Sequence, residues 1–226
     1  MESMISLGGL CAKFNLENTM TQLAAGFWDT MLIFLITLVA SLPLGLLVSL
    51  GRMSKNAIVR NLIKFYISVM RGTPLLLQII IVYFGPSYLF NVSWDRKVAA
   101  IVAFILNYSA YFAEIFRGGI ESMPKGQYEA AEILGFNRFQ TFMRIILPQV
   151  IKRILPPMTN EIITLVKDTS LAQVVSYIEM FSVAKSLSAA QSSIGPLLVA
   201  GVFYYVLNYL IAFLMEKVEK GLSYYR

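Results

Sequence analysis

The stretch FWDTMLIFLITLVASLPLGLLVSL, residues 27–50, decides the fold class of this chain of 226 residues. Asp29 is its only charged residue, and about 20 consecutive apolar residues are enough for a helix to cross the hydrocarbon core of a bilayer. The whole chain is 57% hydrophobic and only 14% charged, which is too apolar for an ordinary soluble domain. The sequence therefore predicts an all-α integral membrane protein.

Four further segments complete a prediction of five transmembrane helices by the same length criterion. The second is long and apolar but contains Arg71 followed by Gly72-Thr73-Pro74. The fourth is marginal because it includes Glu161 and the pair Pro156-Pro157. The predicted spans are 27–50, 65–90, 98–116, 149–168 and 197–215.

The basic residues predict the orientation of these spans. With the N-terminus outside and the C-terminus in the cytoplasm, 13 of the 19 Lys and Arg residues lie on the cytoplasmic side, where such residues are enriched. Five lie outside and Arg71 lies within a span, so we expect this orientation. The 13 are Arg52, Lys55, Arg60, Lys64, Arg117, Lys125, Arg138, Arg144, Lys152, Arg153, Lys217, Lys220 and Arg226.

Several classes of chemistry are excluded by what the sequence lacks. Cys11 is the only cysteine and there is no histidine, so neither an intrachain disulfide nor a His/Cys metal site is expected. Lys13 interrupts the first 25 residues, which have no basic segment before a long apolar core, so no cleaved signal peptide is predicted. The chain has no G-x-x-x-x-G-K-[ST] motif and no carboxylate cluster with catalytic spacing. We therefore expect no enzymatic site and no cofactor or metal bound by this chain.

The stretch QYEAAEILGFNRFQTFMRIILPQ, residues 127–149, is unusually polar for this chain. Its four charged side chains would each cost roughly 2.5–3.5 kcal/mol at the bilayer centre, so it stays outside the membrane. We predict a short helix over 128–134 that stops at Gly135, and a second helix capped by Asn137 with Gln140 that runs to Pro148. Such a short helix suits either a groove in a partner protein or the surface of the inner leaflet.

Several motifs resemble those of ABC-importer permeases of the polar amino-acid uptake family. They are Glu129-Ala130-Ala131 followed by Gly135, IILP at 145–148, RGTPLLLQ at 71–78, EIFRGGIESMPKGQYEAAEILG at 114–135 and LPPMTNEIITLVKDTSL at 155–171. The resemblance covers about residues 20–220. It implies a single permease domain over 1–226 in a prokaryotic cytoplasmic or inner membrane, with an EAA coupling loop over 117–148 that docks on a separate ATPase.

The resemblance also implies the partners of the chain. These are an ABC subunit that binds ATP-Mg, an extracytoplasmic amino-acid-binding protein, and a second permease in a homodimer or heterodimer. Membrane lipid surrounds the chain, and the scattered basic residues do not predict binding to nucleic acid. The expected function is ATP-driven import of a polar, possibly basic, amino acid by alternating access. The alternative from another class is a self-contained secondary transporter or channel, although the odd span number and the absence of an inverted repeat disfavour it.

Ionisable residues within spans are candidates for the substrate site. Arg71 lies about 10 Å and Glu161 about 12 Å along their helices from the inner basic residues, and opposite charges at one level suit an amino acid. Glu161 and Thr164 belong to a 4-3-4 stripe from Pro157 to Asp168, and Thr73 follows Arg71. The alternatives are that Arg71 and Glu161 neutralise each other, or that Arg71 binds carbonyl groups at the nearby break. Lys167 and Asp168 form either an extracellular gate or an interfacial anchor.

Two local features complete the expectations. Glu114 and Arg117 are three residues apart at an inner helix end and should form an ion pair. Ser170 with Gln173 resembles a capping box, and apolar residues recur at helical spacing after it. We therefore predict an amphipathic helix over about 170–190 on the outer surface.

Overall fold

The computed structural model describes residues 15–221, and throughout this range the regular structure is helical, with no strand. The predictions concerning Cys11, Lys13 and Arg226 lie outside the described residues. The all-α prediction is confirmed. The helices are α1 Leu16–Arg52, α2 Ala57–Gly72, α3 Leu75–Phe90, α4 Arg96–Glu121, α5 Lys125–Ile133, α6 Arg138–Thr141, a π-helical turn Phe142–Ile146, α7 Leu147–Asp168, a 3₁₀ helix Thr169–Val175, α8 Met180–Gln191 and α9 Gly195–Gly221.

Three of these helices are long and apolar enough to cross a membrane: α1, α4 and α9. A fourth span exists if the sharply bent pair α2 and α3 counts as one. Helix α7 has 22 residues, which corresponds to about 33 Å at 1.5 Å per residue. It is long enough to span, but its polar residues keep it below the apolarity of the other three.

The segment predicted as a span over 65–90 consists of two helices, α2 and α3, with a sharp bend between them. Helix α2 starts earlier, at Ala57, where the Asn56 side chain accepts a hydrogen bond from the backbone N–H of Ile58 at 2.9 Å. It ends at Thr73, whose backbone is extended, with φ −119° and ψ 149°. Pro74 explains the break, because a proline disfavours helical geometry in the residue before it and has no N–H to donate.

The described residues form two compact units, and several helices contribute to both. The first unit comprises residues 15–37, 75–104 and 165–210. Its core brings Leu23 of α1 together with Met180 and Ala184 of α8 and Ala200 of α9. A Cβ on Gly26 would lie only 2.9 Å from the Met180 Cα, so only glycine permits this close approach of α1 to the start of α8.

The second unit comprises residues 38–74, 105–164 and 211–221. One of its cores packs Val48, Ile67, Ala110 and Ala113 from α1, α2 and α4. Another packs Met123, Ile146, Val150 and Ile154, which joins the end of α4 to the π-helical turn and α7. Polar bonds link α2 to α4 as well: the Tyr66 hydroxyl donates to the Leu106 carbonyl at 2.6 Å, and the Asn107 amide donates to the Met70 carbonyl at 3.1 Å.

The outer helix predicted over 170–190 is also wrong as one element. The chain continues from α7 into the 3₁₀ helix, breaks at Ser176 with a left-handed φ of 57°, and starts again as α8 at Met180. Ser170 caps nothing, because the backbone is already helical there and its hydroxyl donates to the Lys167 carbonyl at 2.7 Å. The cap of the second helix is Glu179.

Candidate coupling and substrate sites

The end of α5 is built by a backbone motif that requires Gly135. Phe136 N–H donates to the Ala131 carbonyl and Gly135 N–H donates to the Glu132 carbonyl, both at 3.0 Å. These two bonds form a Schellman motif, which needs a left-handed residue after the helix. Gly135 supplies it with φ +78°, so the predicted helix stop is confirmed.

The start of the next helix is also as predicted. The Asn137 side chain accepts from the Gln140 backbone N–H at 2.9 Å, and the Gln140 side chain accepts from the Asn137 backbone N–H at 3.0 Å. The predicted end at Pro148 is wrong. Leu147 N–H bonds to the Phe142 carbonyl in the wider π-helical turn, and α7 then continues through Pro148. A widened turn relieves the clash between a proline ring and the preceding turn, so the helix does not end.

The predicted coupling residues lie on an exposed tip. Glu129 and Ala130 are exposed, whereas Ala131 is 1% exposed and fixes α5 to the rest of the second unit. Beyond them Ile133 is 86% exposed and Leu134 73% exposed. The exposed apolar tip is typical of a surface that another protein covers. Next to it lies a cavity of about 600 Å³ lined by Tyr128, Glu132, Phe136, Asn137, Arg138, Thr141 and Phe142.

Arg71 lies at the end of α2 and contacts α4. Its guanidinium is 3.9 Å from the Glu114 carboxylate and stacks over the Tyr111 ring at 5.2 Å from the centroid. Glu114 is bound more tightly by Arg117, with two nitrogen–oxygen distances of 2.6 and 3.1 Å. The predicted ion pair of Glu114 and Arg117 is therefore confirmed, and Arg71 joins it as a third member.

The other predicted substrate residues occupy two helices of the second unit. Thr73 is exposed, and its hydroxyl donates to the Val69 carbonyl of α2 at 2.8 Å. Glu161 and Thr164 are half-buried on α7, and the Thr164 hydroxyl donates to the Asn160 carbonyl at 2.9 Å. Because α7 is continuous, the stripe that contains Glu161 and Thr164 does lie along one face of a helix.

The predicted gate residues lie at the end of α7, in the first unit. Lys167 is exposed and Asp168 is half-buried. Lys167 lines a cavity of about 420 Å³ together with Phe181 and Tyr204. The wall of this cavity is mostly apolar, since Leu197, Ala200 and Gly201 complete it with Ser170.

A buried acid in the first unit escaped the sequence argument. Glu179 is 0% exposed and caps α8 by accepting from the backbone N–H groups of Phe181 and Ser182, both at 2.7 Å. The Tyr204 hydroxyl also lies 3.2 Å from its carboxylate. Burial raises the pKa of Glu179, and the hydrogen bonds oppose this shift only in part.

Two residues close to Glu179 in the sequence form hydrogen bonds with α1. The Tyr177 hydroxyl donates to the Asp29 carboxylate at 2.6 Å, and Met180 N–H donates to the Thr30 hydroxyl at 3.2 Å. No local signal identifies Glu179 as a helix cap, because the preferred cap residues are Ser, Thr, Asp and Asn, and its burial depends on distant segments. Among the described residues no group of three or more His, Cys, Asp or Glu residues could hold a metal ion.

Known proteins resemble this chain over most of its length. Residues 41–224 match the family described as "Binding-protein-dependent transport system inner membrane component". The arginine transport system permease protein ArtQ of Bacillus subtilis is 39% identical over 199 residues, which is 88% of this chain and 91% of that protein. The L-cystine transport system permease protein TcyB of the same organism is 36% identical over 208 residues, covering 90% of this chain and 87% of that protein.

Two further proteins extend the comparison. A putative glutamine transport system permease protein GlnP of Rickettsia bellii is 38% identical over 188 residues, covering 83% of this chain and 86% of its own. The crystal structure of an amino acid ABC transporter with histidines has a TM-score of 0.84 and 28% identity, with 91% of this chain and 96% of that chain covered.

Proposed function

The chain belongs to the family of binding-protein-dependent transport system inner membrane components, and on that premise we propose that it imports a polar amino acid by ATP-driven alternating access. It is a permease subunit of an ABC importer and has no ATPase site of its own. It is a multi-pass membrane protein of bacteria. Members of this family work with an ATPase and a substrate-binding protein. The substrate, the docking surface, the topology and the dimer are the parts that we propose.

The exposed tip of α5 is the proposed docking surface for the ATPase. The observation that carries this proposal is the combination of a helix fixed through the buried Ala131 and a tip on which Ile133 and Leu134 are exposed. A rigid, short helix with an uncovered apolar end transmits displacement to the helices it is attached to. The Schellman motif at Gly135 fixes the direction in which this tip points. When two ATPase subunits close on ATP, movement of α5 would shift α4 and α7.

The proposed topology has five spans with the N-terminus outside and the C-terminus in the cytoplasm. The bias of Lys and Arg supports it, and it puts α5 on the cytoplasmic side, where ATP is available. Helix α7 would then be a span that faces other helices rather than lipid, because Glu161 and Thr164 would be costly beside lipid tails. The 3₁₀ helix and α8 would lie outside, towards the binding protein. A second permease subunit, identical or related, would complete the path.

The proposed substrate site uses Arg71, Thr73, Glu161 and Thr164. Arg71 would bind the carboxylate of the amino acid, because its guanidinium is partly exposed and offers several donors. Glu161 would bind an ammonium or guanidinium group. The relatives named above are described as permeases for arginine, L-cystine and glutamine, which are all polar amino acids. Lys167 and Asp168 are proposed as a gate at the outer end of the same helix.

Uptake by reconstituted vesicles tests the function. The chain is purified with and without its co-expressed ATPase, and radiolabelled arginine, glutamine and cystine are supplied with a binding protein. We expect ATP-dependent uptake of at least one of them by the assembly and none by this chain alone. Equal uptake by the chain alone would overturn the proposal in favour of a secondary transporter.

A further inference from the structure

Three cationic side chains line one cavity in the second unit. Arg52, Lys64 and Arg71 surround a volume of about 470 Å³ between α1, α2 and α4. Ser68 and Tyr111 also line the cavity and have hydroxyl groups that can donate hydrogen bonds. The volume is of the size that holds a small molecule or a lipid headgroup.

The positive charge in this cavity is not balanced by the protein. Glu114 is the only acidic residue in the lining, and Arg117 already holds it through two short contacts. Within residues 15–221, the side chains of Arg52 and Lys64 form no hydrogen bond and no ion pair. Three cations that share a single carboxylate, which Arg117 already binds, make a site for an anion with several oxygen atoms.

The cavity is located where a membrane protein meets lipid headgroups. Arg52 is the last residue of α1, one of the helices apolar enough to span, so it marks a membrane boundary. Lys64 and Arg71 follow on one face of α2, two turns apart, and their long side chains can reach towards that boundary. A different face of α2 is apolar and uncovered, with Ile58 79% and Leu62 66% exposed. Acyl chains can therefore lie against the helix that supplies the cations.

We infer that this cavity binds the phosphate group of an anionic phospholipid from the cytoplasmic leaflet. The Arg52 guanidinium and the Lys64 ammonium neutralise the phosphate, and the Ser68 and Tyr111 hydroxyls donate to its oxygens or to the glycerol. Free phosphate carries at least as much negative charge but gains nothing from the apolar face of α2. The inference rests on the proposed topology, which puts Arg52 and Lys64 on the cytoplasmic side, but not on the proposed transport activity, and it is tested without ATP or amino acid.

Native mass spectrometry of the purified chain in detergent measures lipid retention directly. Phosphatidylglycerol and phosphatidylcholine are titrated separately, and we expect preferential retention of phosphatidylglycerol. Each cation near a phosphate contributes about 5-fold in affinity, so Arg52→Gln combined with Lys64→Gln should weaken retention about 25-fold. Arg71 is left unchanged because it also belongs to the proposed substrate site.

A charge-matched control separates a specific site from general attraction. Lys55→Gln combined with Lys125→Gln removes two cations from exposed positions that do not line the cavity, and should leave retention within 2-fold of the unchanged chain. Lys64→Arg alone, with Arg52 unchanged, keeps both positive charges and should leave retention of phosphatidylglycerol unchanged. Equal retention of both lipids, equal losses in the two double variants, or displacement of phosphatidylglycerol by an equimolar amount of inorganic phosphate would each overturn the inference. Size-exclusion profiles confirm that every variant is folded.

Discussion

Glu161 is the residue on which the proposed substrate site depends most. Its carboxylate is half-buried on α7, and Glu161→Gln preserves the shape while removing the charge. A lost charged hydrogen bond costs about 1.5–3 kcal/mol, so retention of the transported amino acid should fall at least 10-fold. Equilibrium binding of the radiolabelled amino acid to the purified assembly measures this, with Glu219→Gln, an exposed position, as the control. Unchanged retention by Glu161→Gln would remove Glu161 from the site.

Glu179 should make stability depend on pH. Burial raises the pKa of its carboxyl group, so the native state keeps a proton at pH values where the unfolded chain has lost it. Its contribution to stability is complete below the usual range of glutamate and is lost as the pH rises through the raised pKa. We expect the melting temperature of the unchanged chain in detergent to fall over this window relative to Glu179→Gln, in which residue 179 does not titrate. Parallel pH profiles for the two chains would contradict the prediction.

At the scale of elements, α4 and α7 are held together at a glycine. A Cβ on Gly119 would lie 2.3 Å from the Cγ2 of Ile154 and 3.2 Å from the Cγ1 of Val150, so α7 would have to move. Gly119→Ala should therefore destabilise the chain by about 1–3 kcal/mol. Gly118→Ala is the matched control, since nothing lies within 4 Å of its Cβ, and it should be neutral or slightly stabilising. Thermal unfolding in detergent compares the two, and equal midpoints would count against this packing.

The stop of α5 can be tested separately from its packing. Nothing lies within 4 Å of a Cβ on Gly135, so the cost of Gly135→Val comes from its left-handed backbone, with φ +78°. A strained or altered stop should redirect the tip, so the assembled transporter should still hydrolyse ATP but import less substrate per ATP. Gly126→Val, in the helical part of α5 and also without neighbours, should have a smaller effect on this ratio. Normal coupling in Gly135→Val would argue against a role in docking.

The sequence predicted the elements that local interactions determine. The stop at Gly135, the capping box of Asn137 and Gln140, and the ion pair of Glu114 and Arg117 each depend on residues within five positions of one another. The prediction that the helix starting after Asn137 ends at Pro148 is wrong, because a π-helical turn accommodates the proline ring. Nothing in the local sequence indicates such a turn. The prediction of one outer helix over 170–190 is wrong because Ser176 breaks it with a left-handed φ of 57°, which the sequence does not indicate since residue 176 is not a glycine.

The parts of the sites that sequence could not predict depend on contacts between distant segments. The burial of Glu179 requires α1 and α9 to pack around it. The cationic cavity requires Arg52, at the end of α1, to lie close to Lys64 and Arg71 of α2. Lys64, Ser68 and Arg71 do share one face of α2 by spacing alone, and this was the available signal. This signal is ambiguous, because the same basic residues also mark the topology or, for Arg71, the substrate site.

At the scale of the whole molecule, the proposed function assigns the transport path and the supply of energy to different subunits. This chain would form the transmembrane path with a second permease subunit, and the energy would enter through the exposed tip of α5 from a separate ATPase. Three features of α5 have a purpose under this proposal: the exposed Ile133, the buried Ala131 and the left-handed Gly135. A self-contained transporter has no use for this combination.

Site-specific photo-crosslinking in the assembled transporter tests this claim most directly. A photoreactive amino acid replaces Ile133, which is 86% exposed, or Ile194, which is 53% exposed and predicted to face the outside. If the tip of α5 docks on the ATPase, we expect a crosslink to the ATPase from position 133 and none from position 194. No crosslink from position 133, or labelling of that position by a membrane-impermeant reagent added outside, would contradict it.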